Sequence, residues 1–161
     1  MDSKFTMLMP SKIGDLILEF EDEQLLSLSI EESSEQRLGS NIKSNSKLEK
    51  SIRQPLENYF SSSIPFETIT LSPKGTSFQK AVWRELTQIP LGETRTYGEI
   101  ANKLHSSPRA VGNACRKNPI AIIIPCHRVV SAKGIGGYAG ATEGKQLNIK
   151  RWLLNHEGVQ L

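Results

Sequence analysis

The sequence has little cysteine, few aromatic residues and no long apolar run. Its two cysteines, Cys115 and Cys126, are too few for the disulfide framework of a small secreted protein. No apolar run reaches the roughly 20 residues that a membrane-spanning helix needs, and no basic and apolar leader opens the chain. We therefore expect a reduced, cytoplasmic protein without a membrane partner, long enough to form a core without covalent cross-links.

Acidic residues are scarce in the second half of the chain and abundant in the first. Residues 1–70 carry 7 Lys and Arg against 12 Asp and Glu, whereas residues 71–161 carry 13 against 5. The net charge of +3 therefore combines −5 in the first part with +8 in the second. A basic half favours a polyanionic partner such as nucleic acid, although a merely solvated basic surface would give the same count.

The first 70 residues predict a small α/β domain with a structural role, because they contain no cluster of reactive groups. In chain order, the pattern predicts a β-hairpin of 16–20 and 25–30, a polar loop over 32–47, a helix over 48–60 and a strand over 64–71. Pro55 lies inside the predicted helix, where it would kink it.

The part from residue 75 onward predicts a mostly helical domain. The first predicted helix has Ser77 as its N-cap and ends near Pro90, and the second runs from Tyr97 to Leu104. The third starts at Pro108 after the N-cap Ser107. The fourth runs from Leu147 to His156, with Ile149, Trp152 and Leu153 inward. The second and third helices are joined by a tight turn, which predicts a helix-turn-helix motif. The third helix has one face of small and basic residues, which suits a nucleic-acid groove but also a solvated surface.

A short stretch, Pro125-Cys126-His127-Arg128-Val129, combines a thiol with an imidazole and a guanidinium. The apolar run 120–124 before it predicts a buried strand that ends at the proline. Nearby cations favour the thiolate, which is the nucleophilic form of cysteine. The alternative is that Cys126 packs as a small buried apolar side chain, as free cysteines usually do.

Glu157 lies at the C-terminal end of the last predicted helix, where the helix macrodipole opposes a carboxylate. We therefore expect a partner that holds it, and His127 is the candidate. Successive side chains of an extended chain point to opposite faces, so a direct bond between Cys126 and His127 is unfavourable. A bridging water would complete a relay from glutamate through histidine to cysteine.

Five motifs occur in an order that resembles the O6-alkylguanine-DNA alkyltransferase family over residues 75–158. They are Thr96-Tyr97-Gly98-Glu99-Ile100-Ala101, Arg109-Ala110-Val111-Gly112 with Asn118-Pro119, Pro125-Cys126-His127-Arg128-Val129, Gly137-Tyr138-Ala139-Gly140 and Trp152-Leu153-Leu154-Asn155-His156-Glu157. The resemblance implies a ribonuclease H-like α/β domain (1–70) followed by a helical domain (75–161) with a winged helix-turn-helix-like motif.

The resemblance also implies an activity: methylated-DNA--protein-cysteine methyltransferase, a DNA repair enzyme that consumes itself. A nucleotide is flipped out of double-stranded DNA, and the alkyl group on guanine O6 moves irreversibly to a cysteine. Each molecule then acts once, as a monomer and without a cofactor. O4-alkylthymine is a second candidate substrate.

The family's functional residues map onto this chain position by position. Cys126 matches the alkyl acceptor, His127 the water-mediated base and Glu157 its orienting partner. Tyr97 matches a tyrosine that crowds the phosphate of the flipped nucleotide and donates to guanine O6. Arg109 matches the finger that enters the base stack from the minor groove.

Two further sets follow from the same resemblance. The DNA-binding set is Tyr97, Arg109, Ala110, Gly112, Asn113 and Arg116. The base-pocket set is Val129, Tyr138, Ala139, Gly140 and the hinge residue Asn118.

The chain departs from some relatives in three respects. It has no cysteine before Cys115 and only three histidines, so we predict no zinc site. Ala139 stands where some relatives have serine, and the segment 141–148 is longer than in several of them. Cys115 is expected in the core or, alternatively, in the wall of the pocket.

Two other classes of protein stay open on the sequence. One is a module that binds alkylated bases without reacting, although such relatives carry tryptophan at the acceptor position. The other is a cysteine hydrolase or redox enzyme, which the adjacency of Cys126 and His127 disfavours.

Overall fold

The computed structural model describes residues 4–31, 46–66, 69–138 and 143–160. The chain forms two compact units, Met1–Lys74 with Pro119–Ala121, and Gly75–Asn118 with Ile122–Leu161. The first contains β1 (Lys4–Ser11), β2 (Gly14–Glu21), β3 (Gln24–Glu31) and α1 (Ser46–Ser62). The second contains α2 (Ser77–Thr87), β4 (Arg95–Thr96), α3 (Tyr97–Lys103), α4 (Pro108–Arg116), a 3₁₀ helix (Cys126–Arg128), β5 (Val129–Val130) and α5 (Lys145–His156).

The first unit is built on an antiparallel sheet in the order β1-β2-β3. Alternating apolar residues bury one face, and Met7 lies opposite Leu18 in the register. The predicted hairpin is confirmed as β2 and β3. Strand β1 was not predicted; it is an edge strand, which is where a sheet tolerates a proline such as Pro10.

Helix α1 packs its apolar stripe of Ile52, Leu56 and Tyr59 inward and carries Pro55 in its interior. The strand predicted over 64–71 is wrong for the described residues, because only Leu71 pairs, through a single bridge to Leu25. Of the loop predicted over 32–47, residues 32–45 lie outside the described residues, and the other two open α1.

Local capping fixes the helices of the second unit. The N-cap of α2 is Thr76 rather than the predicted Ser77, because Thr76 forms a capping box with Gln79. The predicted cap of α4 is confirmed: the Ser107 hydroxyl accepts from the Ala110 amide at 3.2 Å. The turn between α3, which ends at Lys103, and α4, which begins at Pro108, is short, as expected. The two helices pack against each other.

The strand predicted over 120–124 is wrong. Ile120 makes one bridge to Leu28, and the chain then turns at Ile122, whose φ is +72°. Pro119 and Pro125 flank this short run and lack amide donors, so a ladder cannot extend past either end. Cys126 therefore starts a 3₁₀ helix rather than ending a strand.

The inward face of α5 agrees with the prediction at Leu153 but not at the other two positions. Its buried residues are Leu147, Lys150, Leu153 and Leu154, whereas Ile149 and Trp152 are only half-buried. After the 3₁₀ helix, β5 pairs in parallel with β4, and Val129 lies opposite Arg95. This pairing places the segment that follows Cys126 beside the start of α3.

Candidate active site

Cys126 lies at the first position of the 3₁₀ helix and is 9% exposed. Burial raises the pKa of its thiol, while hydrogen bonds from the side chains of Asn118 and Tyr138 and the charge of Lys150 act in the opposite direction. The amide of Asn118 also donates to the Ile124 carbonyl at 2.8 Å, which ties the end of α4 to the segment before the cysteine. The sulfur rests as a thiol among donors that favour the thiolate once it forms.

The two residues after Cys126 face a carboxylate, not the sulfur. His127 Nε2 lies 2.6 Å from Glu157 Oε2, and Arg128 Nε donates to Glu157 Oε1 at 2.7 Å. The expected contact between His127 and Glu157 is therefore present. The expectation that Arg128 favours the thiolate is wrong, because its guanidinium is bound to Glu157 and to the Ile89 carbonyl, 2.8 Å away.

The protonation states follow from this geometry. Burial lowers the pKa of His127 and outweighs the opposing effect of Glu157. Burial alone would raise the pKa of Glu157, but the hydrogen bonds from His127 and Arg128 and the charge of Arg128 outweigh that effect and lower the pKa to about 2. The imidazole is thus neutral beside an ionised carboxylate, so we assign its proton to Nε2.

The other ring nitrogen of His127 is left as an acceptor. His127 is fully buried, and Nδ1 has no hydrogen-bond partner among the described residues. A buried acceptor without a protein partner is uncommon and calls for a functional explanation. This atom can accept a proton.

Lys150 is the residue of the site that the sequence reasoning missed, because lysines are almost never fully buried. It is 0% exposed, and its Nζ donates to the Val129 carbonyl at 2.7 Å and to the Gly137 carbonyl at 2.9 Å. Burial lowers its pKa to about 8. The available signal was spacing, since Lys150 lies three residues from both Leu147 and Leu153 on the buried face of α5.

Tyr97, the first residue of α3, lies next to this lysine. Its ring centroid is 5.9 Å from Lys150 Nζ, and its hydroxyl donates to the Gly137 carbonyl at 3.4 Å. Burial raises the pKa of Tyr97, so the phenol stays protonated. Gly136 has a φ of +74°, and a Cβ there would lie 3.1 Å from the Tyr97 ring, so a side chain at this position would press on the ring.

The predicted DNA-binding residues other than Tyr97 lie on α4. The side chains of Arg109, Asn113 and Arg116 are exposed, while those of Val111 and Ala114 are buried. Ala110 and Gly112 are half-buried between them. This arrangement gives α4 one apolar inner face and one basic outer face.

The structure thus brings Cys126, Asn118, Tyr138 and Lys150 into one cluster and places His127 beside Glu157. Val129 joins this cluster through its carbonyl, which accepts a hydrogen bond from Lys150 Nζ. Ala139 and Gly140 lie outside the described residues. Cys115 is half-buried in α4, and burial raises the pKa of its thiol to about 12.

Within the described ranges, no group of three or more His, Cys, Asp or Glu side chains could hold a metal ion. No helix in the same part of the chain is long and apolar enough to cross a membrane.

Comparisons with known proteins agree with one another. The family model described as "6-O-methylguanine DNA methyltransferase, DNA binding domain" matches residues 77–159. A relative from Metallosphaera sedula is 38% identical over 149 residues, which cover 92% of this chain and 89% of the relative. One from Methanosarcina mazei is 49% identical over 111 residues, 67% of each chain. Both are named methylated-DNA--protein-cysteine methyltransferase.

Solved structures extend the likeness to most of the chain. The crystal structure of Mycobacterium tuberculosis O6-methylguanine methyltransferase has a TM-score of 0.81 at 36% identity, with 96% of this chain and 93% of that chain covered. The structure of the same organism's protein in complex with DNA has a TM-score of 0.74 at 36% identity, with coverages of 96% and 91%.

The basic helix and the buried cysteine, taken with these matches, define a DNA-binding repair protein of the methyltransferase class. The chain belongs to the O6-methylguanine DNA methyltransferase family, whose members are methylated-DNA--protein-cysteine methyltransferases. The small sheet followed by helices is the architecture that it shares with the solved structures.

Proposed function

We propose that this protein repairs O6-alkylguanine in double-stranded DNA by moving the alkyl group irreversibly to Cys126, once per molecule. The observation that carries the proposal is the pairing of a buried thiol, surrounded by hydrogen-bond donors, with an adjacent neutral imidazole that keeps an unpartnered Nδ1. A thiolate is a soft nucleophile suited to saturated carbon, and the thioether product has no good leaving group.

The proposed reaction needs a proton to leave the sulfur first. The Cys126 proton passes through a water to His127 Nδ1, and Glu157 stabilises the imidazolium that results. The thiolate then attacks the alkyl carbon, so that the sulfur–carbon bond forms as the carbon–O6 bond breaks. Tyr97, which burial keeps protonated, donates a hydrogen bond to O6 of the departing guanine. The proton that His127 took from Cys126 then passes through solvent to the guanine anion, which restores the neutral imidazole.

DNA recognition is proposed to use the pair α3 and α4 as a winged helix-turn-helix. Its support is the outer face of α4, where exposed cations flank small residues that allow close approach to a backbone. The target base leaves the stack, as it must for an enzyme to reach an atom inside a duplex. We propose that Arg109 fills the vacated place from the minor groove. The proposed contacts are Tyr97, Arg109, Ala110, Gly112, Asn113 and Arg116 to DNA, and Asn118, Val129, Tyr138, Ala139 and Gly140 to the base.

We propose that residues 1–70 form a structural domain of the ribonuclease H-like type and that residues 75–161 form the DNA-binding and alkyl-acceptor domain. The support is the meander sheet with its helix in one unit and the clustered reactive groups in the other. We propose a monomer that acts without a cofactor.

The test is the mass and the stoichiometry of the product. The protein is incubated with a duplex that carries O6-methylguanine and digested, and the mass of the peptide containing Cys126 is measured by mass spectrometry. We expect one added methyl group on that peptide and one methyl removed per protein molecule. An unmodified peptide despite DNA binding would reject the acceptor role and favour a binding module, and repeated turnover would reject the single-use mechanism.

Replacing Arg109 by alanine should weaken repair of duplex DNA by about tenfold and leave repair of a short single strand nearly unchanged. The reason is that unstacking a paired base costs a few kcal/mol, and a side chain that fills the gap recovers part of that energy. Single-turnover rates on the two substrates measure the difference. The control is Arg151→Ala, at an exposed arginine of α5; equal losses on both substrates in Arg109→Ala would contradict the finger role.

A further inference from the structure

Arg128 is buried at the centre of the site but does not contact the reactive sulfur. It is 7% exposed, and its guanidinium donates in two directions, from Nε to Glu157 Oε1 at 2.7 Å and from Nη1 to the Ile89 carbonyl at 2.8 Å. His127 occupies the other oxygen of the same carboxylate, at 2.6 Å. One buried anion is therefore shared between a permanent cation and a titratable ring.

This sharing bears on whether His127 can act as a base. A buried carboxylate whose sole partner is an imidazole favours the imidazolium, since an opposite charge nearby stabilises the charged form. A histidine that already holds its second proton cannot accept one from the thiol. A guanidinium on the second carboxylate oxygen neutralises the anion and weakens its pull on that proton.

The other charged groups around His127 do not replace this effect. Glu157 raises the pKa of the imidazole, while burial, Arg128 and Lys150 lower it. Lys150 itself has its pKa lowered to about 8 by burial, whereas the guanidinium is permanently charged.

Helix α2 also packs against the 3₁₀ helix. Its buried residues are the apolar Val82, Trp83 and Leu86; of its charged residues, Lys80 and Arg84 are exposed and Glu85 pairs with Lys103.

We propose that Arg128 is a positioning residue that neutralises and orients Glu157, and that it thereby keeps His127 in the neutral form that can take the proton of Cys126. This rests on the proposed role of His127 as the base. The Ile89 carbonyl holds the guanidinium in place, because the planar group donates to the Glu157 carboxylate and to this backbone oxygen at the same time. A lysine at this position would keep the charge but could not reproduce both bonds in one plane.

The test combines a pH profile with a direct titration of the ring. The single-turnover rate of methyl transfer to Cys126 from a duplex with O6-methylguanine is measured against pH. Four proteins are compared: wild type, Arg128→Met, Arg128→Lys and the exposed control Arg151→Met. Nuclear magnetic resonance of ¹⁵N-histidine-labelled protein reports the charge of His127. Removing a cation raises the pKa of the ring, so the acid limb of the profile should move to higher pH.

For Arg128→Met we expect a shift of about one pH unit or more, with the rate recovering at high pH. Arg128→Lys should show a smaller shift, and Arg151→Met none. A rate that falls by the same factor at every pH, with an unchanged titration of His127, would show that Arg128 only supports the structure and would overturn the proposal.

Two further outcomes are distinguishable. If wild type binds DNA but Cys126 gains no methyl, the proposed function fails, and the titration of His127 still tests the role of Arg128. If Arg128→Met does not fold, the pH profiles and His127 titrations of Arg128→Lys and wild type test the proposal. Wild-type His127 must be neutral near pH 7 with its proton on Nε2, and a charged ring at that pH would overturn the proposal.

Discussion

Replacing Cys126 by serine is expected to abolish methyl transfer while leaving the affinity for DNA unchanged. Serine is close to cysteine in size, so the hydrogen-bond donors of Asn118 and Tyr138 keep their places. An alcohol is a far weaker acid than a thiol, and its oxygen lacks the soft character that suits sulfur to attack on saturated carbon. Mass spectrometry of the protein after incubation with methylated duplex measures the transfer, and a gel-shift titration measures the binding.

The matched control is the other cysteine of the chain. Burial raises the pKa of Cys115 to about 12, and the side-chain donors Asn118 and Tyr138 that favour the thiolate act on Cys126, so Cys115→Ser should transfer methyl at nearly the wild-type rate. A methyl group found on Cys115, or a Cys126→Ser protein that still accepts methyl, would contradict the assignment of the acceptor.

Short-range signals in the sequence predicted the local framework of the site. A serine followed by proline predicts the start of α4, because the hydroxyl caps the helix and proline suits its first turn. Glu157 at an unfavourable helix end predicts a partner, and the structure places His127 there. Both inferences use only the nearest turn of chain, where sequence and geometry are tightly coupled.

Longer-range features did not follow from the sequence. The apolar run 120–124 has the composition of a strand, but a ladder needs a neighbouring strand and extended backbone, and the chain turns at Ile122 instead. Lys150 is buried because two backbone carbonyls that lie far away in sequence converge on its ammonium group. The partners of the Arg128 guanidinium, Ile89 and Glu157, are likewise far away in sequence, and only the fold brings them near.

Replacing Lys150 by methionine is expected to lower the free energy of unfolding by about 3 kcal/mol. Methionine has a similar length and fills the space, but the carbonyls of Val129 and Gly137 lose their donor. A hydrogen bond from a charged group is worth about 1.5–3 kcal/mol, and the Lys150 ammonium makes two, while relief of its burial offsets part of the loss. Urea unfolding of both proteins measures the difference, with the exposed Lys80→Met as control.

The cost of this substitution should also grow with pH, for a reason that separates Lys150 from an ordinary packing residue. Burial lowers the pKa of Lys150 from 10.5 to about 8, so the folded protein releases this proton before the unfolded chain does. Between these values the unfolded state binds more protons, and the stability of the wild type rises with pH by up to about 1.4 kcal/mol per unit. Lys150→Met lacks this group, so its deficit should widen by about 1 kcal/mol between pH 8 and 9. A deficit that stays constant over that interval would mean that the pKa of Lys150 is unshifted in the folded protein.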